Sequence, residues 1–273
     1  MLAFAVATRL AMPATTLTLK HKLAANQVTL GSWITLAHPG IAEIMTRAGF
    51  DWLTIDLEHS VITIREAEEL IRVIALCGGT PLARLTSNDA DQIKRVMDAG
   101  AHGVIVPMVN SKADAERAVA SVYYPPRGKR GAGLARAQGY GASFADYREW
   151  LEREAVVIVM IEHVEAVKNL EEILTTDGVD GFIVGPYDLS ASLGRPGDFG
   201  NPAHAAAIER IRTVSQALRR PGGLHVVEPT PDQVRKYVAE GFKFLAYSID
   251  QRMLDVAARS GIAACRATLP PKS

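Results

Sequence analysis

The stretch that decides the fold reads Val156-Val-Ile-Val-Met-Ile161-Glu162-His163, then a helix-like segment, then Gly181-Phe-Ile-Val-Gly185-Pro186-Tyr187-Asp188. Each half contains a short, unbroken apolar run, the pattern of a strand buried on both faces, and each ends on a carboxylate. Neighbouring strands lie roughly 4.8 Å apart, so Glu162 and Asp188 can stand side by side at two strand ends. Two acids so placed either cap the helices that follow or converge on one hard cation. Mg²⁺ or Mn²⁺ prefers such oxygen ligands and keeps positions open for substrate.

The same alternation of strand and helix extends outward in both directions. Strand patterns cover residues 30–37, 52–58, 81–85, 103–109, 156–161, 181–185, 223–227 and 242–249. Helix patterns follow at 39–48, 64–76, 89–99 (with Asn88 as its cap), 111–123, 144–154, 165–175, 202–219, 231–239 and 251–259. Eight strand–helix units in one series predict a single-domain α/β protein, a (β/α)₈ TIM barrel over residues 18–262. Gly49, Gly100 and Gly241 each end a helix and turn the chain into the next strand. No Gly-x-Gly-x-x-Gly follows the first strand and no Walker loop occurs, which argues against nucleotide binding.

At 273 residues, 48% hydrophobic and 22% charged, the chain suits a soluble globular protein of this size. Lys+Arg and Asp+Glu balance at 30 each, leaving no electrostatic footprint for nucleic acid or an anionic membrane. Cys77 and Cys265 lie far apart without metal-ligand spacing and read as reduced cysteines of a cytoplasmic protein. Residues 1–17 are apolar at first but interrupted by Arg9, and read as a flexible tail; residues 263–273 read as a frayed C-terminus.

A barrel gathers its chemistry at the C-terminal ends of its strands. Those ends carry His38, then Asp56, Glu58 and His59, then Arg84, then Glu162 and His163, then Asp188. Asp56 is close enough in sequence to orient the His59 ring as a general acid/base. Arg84 ends an apolar strand, where an unpaired guanidinium is costly. An anionic ligand accounts for it better than a salt bridge to Asp56 or Glu58. A Schiff-base mechanism needs an interior lysine, and the strands offer only Lys243, at the wrong end.

These residues also resemble a known family. The segments Phe50-Asp-Trp-Leu-Thr-Ile-Asp56-Leu-Glu-His59, Arg84 with Ser87-Asn-Asp, and Val106-Pro-Met-Val109 carry the likeness. Tyr124-Pro-Pro-Arg-Gly-Lys-Arg-Gly131, Ile161-Glu162 and Gly185-Pro-Tyr-Asp188-Leu-Ser extend it. Together they look like the HpcH/HpaI aldolase/citrate lyase family of class II, metal-dependent pyruvate aldolases. The similarity spans about Lys20 to Gly261. It implies a hexamer whose closing helix packs onto a neighbouring subunit. It implies Glu162 and Asp188 as ligands of Mg²⁺, Mn²⁺ or Co²⁺, and pyruvate contacts from Arg84 and from the backbone at Gly185, Pro186 and Tyr187. Proton transfer would fall to Asp56 and His59, and Asp98 matches an acid that reaches a neighbour's site. The reaction implied is reversible cleavage of a 4-hydroxy-2-oxo acid to pyruvate and an aldehyde, through a pyruvate enolate. The chain departs from the family at Met160, where many members have Gln, and in the loop from Gly131 to Gly141, which looks shorter. Both departures bear on the aldehyde half. The alternatives are an acyl-CoA lyase of the citramalyl or malyl type and a non-catalytic binder of pyruvate-like acids.

Overall fold

The computed structural model describes residues 17–270; all of the expected N-terminal tail except Leu17 lies outside the described residues. Nine parallel strands follow in chain order: β1 (Thr29–Ile34), β2 (Trp52–Asp56), β3 (Pro81–Arg84), β4 (Gly103–Val106), β5 (Val156–Ile161), β6 (Gly181–Val184), β7 (Gly222–Gly223), β8 (His225–Val226) and β9 (Phe244–Ile249). The spatial order is β7-β6-β5-β4-β3-β2-β1-β9-β8. β7 pairs with β6 while β8 pairs with β9, and only Leu224 separates the two. They are the halves of one stave, so the sheet closes into the eight-staved barrel that the sequence predicts.

Apolar side chains form two cores. The larger lies between the staves and the surrounding helices. The smaller fills the barrel itself with Trp33, Trp52, Leu82, Ile105, Ile158 and Phe244, among others. Leu19 and Leu23, from a short helix Leu19–Ala24 that the pattern reading did not find, join the interior core. Trp52 stacks on Phe244 with ring centroids 4.1 Å apart and planes 7° from parallel. Gly31 makes room for this pair, because a Cβ built there falls inside the Trp52 indole. Gly31→Ala is therefore expected to destabilise the fold by about 3 kcal/mol through overpacking, read as a lower denaturant midpoint. An unchanged midpoint would show that the interior layer can yield.

Several elements stop earlier or later than their patterns suggest, each for a local reason. β1 ends at Ile34 rather than residue 37 because the Asp250 carboxylate takes the backbone N–H groups of Thr35 and Leu36 at 2.9 and 2.8 Å. The helix Ala90–Asp98 is capped by Asp89, whose carboxylate accepts from Gln92 N–H at 2.7 Å. Asn88, expected in that role, instead donates to the Asp114 carbonyl at 2.8 Å. The final helix runs Asp250–Ala267, past the expected end at Arg259 and past the domain limit drawn at residue 262. Gly261 does not end it, since one helical Gly costs only about 1 kcal/mol and four alanines (Ala257, Ala258, Ala263 and Ala264) lie within four residues of it.

Candidate functional site

The C-terminal mouth of the barrel holds a cavity of about 410 Å³, lined in part by Asp56, His59, Arg84, Gly185, Tyr187 and Asp188. Cross-strand register sets the first contact, since Asp56 and Arg84 are direct partners on β2 and β3. The guanidinium meets the carboxylate as a fork, Nε to Oδ1 at 2.9 Å and Nη2 to Oδ2 at 2.5 Å. Nη1 lies 3.3 Å from Glu58 Oε2, and the guanidinium carbon sits 4.4 Å from the centre of the Trp33 ring. Arg84 thus forms salt bridges to both Asp56 and Glu58 at the mouth of the cavity.

Asp56 does not orient the His59 ring. Its Oδ1 accepts the backbone N–H groups of Glu58 and His59 at 3.0 and 3.1 Å, closing a turn just after β2. That carboxylate is already committed to Arg84, and a bidentate guanidinium pair is stronger than a bond to a neutral imidazole. The His59 ring is exposed, with Nε2 3.9 Å from Glu58 Oε2. Glu58 thus joins the site through Arg84, a contact that its place in the chain does not reveal. Its Oε2 is buried without a hydrogen-bond donor, and burial raises its carboxyl above the ordinary value, with Arg84 pulling the other way.

Glu162 follows β5 and is only 2% exposed. Its Oε1 accepts the Met108 backbone N–H at 2.7 Å, and Met108 takes a left-handed backbone (φ 51°) just after Pro107. Gly185 lies directly against it: a Cβ there would overlap Glu162 Oε2 and sit 2.8 Å from Glu162 Cβ. Asp188 lies in the first turn of the helix Pro186–Ser192, which the sequence reading did not assign, and its charge is felt at Glu162. Burial first, and then the charges of Glu58 and Asp188, push Glu162 up to about 7 despite the Met108 hydrogen bond.

This shift has a sign that can be tested. Glu162 is raised in the folded protein from an ordinary value of 4.5. Its contribution to the stability of the metal-free protein is full below about 4.5 and is lost as the pH rises through about 7. Gln keeps an acceptor for Met108 without the charge. Glu162→Gln is thus expected to raise the Tm of the metal-free protein by several degrees at pH 8, about 3 kcal/mol, and far less near pH 5. A Tm gain independent of pH would contradict this.

The donor set suits a hard divalent cation. A carboxylate whose ionisation is opposed first by burial and then by like charges, beside a second acid, gains most from a positive ion. Among the described residues no group of three or more His, Cys, Asp or Glu side chains gathers at metal-binding range. Two carboxylates leave most of an octahedral shell to water and substrate, as Mg²⁺ prefers. His38 and His163, by contrast, are helix caps, accepting from Gly40 and Glu165 N–H, each at 3.1 Å.

Asp98 does not line the cavity; it faces Arg130 on the flank of the barrel at 3.9 Å. His225, which the pattern reading passed over, does line it. Burial lowers its pKa to about 4, and Nε2 lies 3.2 Å from the Ser248 carbonyl, so Nε2 carries the proton of a neutral ring. Nothing in the run Gly222–Val227 signals a site residue; only closure of the barrel brings it to the mouth.

Fold and site together define a (β/α)₈ enzyme with acids at its strand ends. The chain belongs to the HpcH/HpaI aldolase/citrate lyase family, whose sequence profile matches residues 29–256, and it is an aldolase, a carbon–carbon lyase. It is 40% identical over 240 residues to a hydroxypyruvate/pyruvate aldolase of Sagittula stellata, covering 88% of this chain and 94% of that one. A 5-keto-4-deoxy-D-glucarate aldolase of Shigella dysenteriae is 36% identical over 231 residues, 85% of this chain and 90% of its own. The crystal structure of an HpcH/HpaI aldolase/citrate lyase family protein from Burkholderia cenocepacia superposes with a TM-score of 0.86 at 32% identity. That match covers 91% of this chain and 98% of the other.

Proposed function

We propose that this aldolase reversibly cleaves a 4-hydroxy-2-oxo acid to pyruvate and an aldehyde, with Glu162 and Asp188 holding Mg²⁺, Mn²⁺ or Co²⁺. The observation that carries the reading is the buried Glu162 carboxylate, pushed up to about 7 beside Asp188, with Gly185 as its tight neighbour. When bound, the divalent ion supplies Lewis acidity that favours the enolate over the keto acid. The chain's own groups do the rest. The turn Gly185-Pro186-Tyr187 receives the substrate carboxylate at the Tyr187 N–H, since proline has none and the Gly185 N–H donates to the Ile161 carbonyl at 3.3 Å. Arg84, held rigid by Asp56, offsets negative charge growing on the enolate oxygen. Asp56 acts through Arg84 and is a positioning residue.

His59, at the open side of the cavity beside Glu58, takes the proton of the C4 hydroxyl. The C3–C4 bond then breaks, the aldehyde carbonyl forms, and the electron pair passes into the enolate. Returning a proton to C3 completes pyruvate. The barrel is proposed to work as a homo-oligomer, with a hexamer favoured. The final helix leaves Leu254 and Ile262 exposed at 58% and 52%, an apolar face that a neighbouring subunit can cover. The free thiols Cys77 and Cys265 accord with a cytoplasmic setting, and no described helix is long and apolar enough to cross a membrane.

The test is release of pyruvate from 4-hydroxy-2-oxo acids after exhaustive chelation. Cleavage is expected to vanish with chelator and return with Mg²⁺, Mn²⁺ or Co²⁺. Cleavage that survives chelation would contradict the assignment of Glu162 and Asp188.

A further inference from the structure

The end of β1 is held by a residue far along the chain that no step of the proposed reaction uses. Asp250, the first residue of the final helix, is 5% exposed, while none of the other residues of that helix is buried. Its Oδ2 accepts the backbone N–H groups of Thr35 and Leu36 at 2.9 and 2.8 Å. Its Oδ1 accepts the Thr35 hydroxyl at 2.6 Å and the Gln251 N–H at 2.7 Å. Four neutral donors on one buried carboxylate make a stiff, charge-assisted clamp. A kink in β9 aims it. The register between β1 and β9 slips by one residue between Gly31 and Trp33, close to Ser248, which takes a left-handed backbone (φ 52°). A serine in that conformation is strained and persists only where its surroundings dictate it. Here its carbonyl accepts from Ser32 Oγ at 3.1 Å and His225 Nε2 at 3.2 Å, and its own hydroxyl donates to the Val227 carbonyl at 2.8 Å. One extra residue in a strand reverses the faces of those that follow, and so turns Asp250 toward β1.

What the clamp holds is part of the site. Thr35 lines the barrel-mouth cavity, and so does Trp33, two residues before it. The guanidinium carbon of Arg84 sits 4.4 Å from the centre of the Trp33 ring. The indole N–H is buried and finds no acceptor among the described residues, so packing and the backbone of β1 set the ring without a hydrogen bond. Asp250 fixes that backbone where it leaves the strand. We propose that Asp250 is a positioning residue for the reaction. Through Thr35 and the end of β1 it holds the Trp33 indole, the platform from which the Arg84 guanidinium meets the developing enolate. This rests on the aldolase reading above and extends its machinery to the final helix.

The experiment combines kinetics with a direct view of the ring. With Mn²⁺ present, Asp250→Asn is expected to lower kcat for deuterium exchange of the pyruvate methyl protons roughly 30-fold, with KM nearly unchanged. Charge on the enolate oxygen grows only toward the transition state, so its loss falls on kcat. Thr35→Val removes one of the four donors and is expected to lower kcat about fivefold, while Thr35→Ser, which keeps the hydroxyl, stays within about twofold of the parent. In the Arg84→Lys background the further loss from Asp250→Asn is expected to shrink to about threefold, since residues that act through one another are not additive. The ring is followed by ¹⁹F NMR of fluorotryptophan-labelled protein, whose three tryptophans give three resonances, that of Trp33 assigned with Trp33→Phe. In Asp250→Asn the Trp33 resonance is expected to move while the other two keep their places. A lowered Tm with unchanged kcat, or an unmoved Trp33 resonance, overturns this inference and leaves the aldolase reading standing. If Asp250→Asn does not fold, equal kcat in Thr35→Val and Thr35→Ser overturns it in the same way. Absence of proton exchange in the parent enzyme overturns both.

Discussion

Asp188→Ala is expected to lower kcat/KM for pyruvate-forming cleavage by roughly 10³-fold, with little change in Tm. The side chain is exposed in the first turn of a short helix, so truncation leaves no cavity. Its loss to the fold is one favourable charge at a helix N-terminus, about 0.3–1 kcal/mol. On the proposed reading, its loss to the site is one of two oxygen donors. Glu162 alone would then hold a divalent ion weakly, and Mn²⁺ affinity measured by calorimetry should fall with activity. Full activity with normal Mn²⁺ binding would remove Asp188 from the ligand set.

Arg84→Ala is expected to act on stability as well as on catalysis. The ion pair with Asp56 is nearly dry, the side chains being 12% and 4% exposed. Removing the guanidinium leaves Asp56 with no partner charge and Glu58 with one fewer, and breaking such a buried pair costs about 3–5 kcal/mol. For a barrel of this size that is a drop in Tm on the order of 10 °C. Arg84→Lys keeps the charge but not the fork, and should fall between the two. Asp56→Asn is expected to lose activity while pyruvate affinity changes less, because the amide can still accept from Glu58 and His59 N–H but no longer fixes the guanidinium. A Tm for Arg84→Ala within a degree of the parent would mean the pair contributes little.

The barrel was legible because both of its signals are local. Continuous apolar runs such as Val156–Ile161 mark strands buried on two faces, and glycines after helices mark the turns between them. The acids at the strand ends were legible for the same reason, since a strand's C-terminal end in a barrel has a known location. What lay out of reach depended on contacts across staves. Arg84 faces Asp56 because of the register between β2 and β3, which no spacing in the chain reveals. His225 reaches the mouth only through closure by β7 and β8. His38, His163 and His59 look alike as histidines just after strands. Two of them turn out to cap helices, and the third stands free beside Glu58. The final helix outran its expected end because an exposed helix shows little of the core-facing periodicity from which helices are read.

On the proposed reading, this chain forms the enolate of pyruvate with the help of a divalent ion held by Glu162 and Asp188. The most direct measurement is NMR of pyruvate in D₂O with the enzyme, with and without chelator, and with Asp188→Ala. Methyl protons are expected to exchange only with the parent enzyme and a divalent ion, and to stop on chelation or with the variant. Exchange that continues undiminished in chelator would mean that enolate formation needs no ion at Glu162 and Asp188.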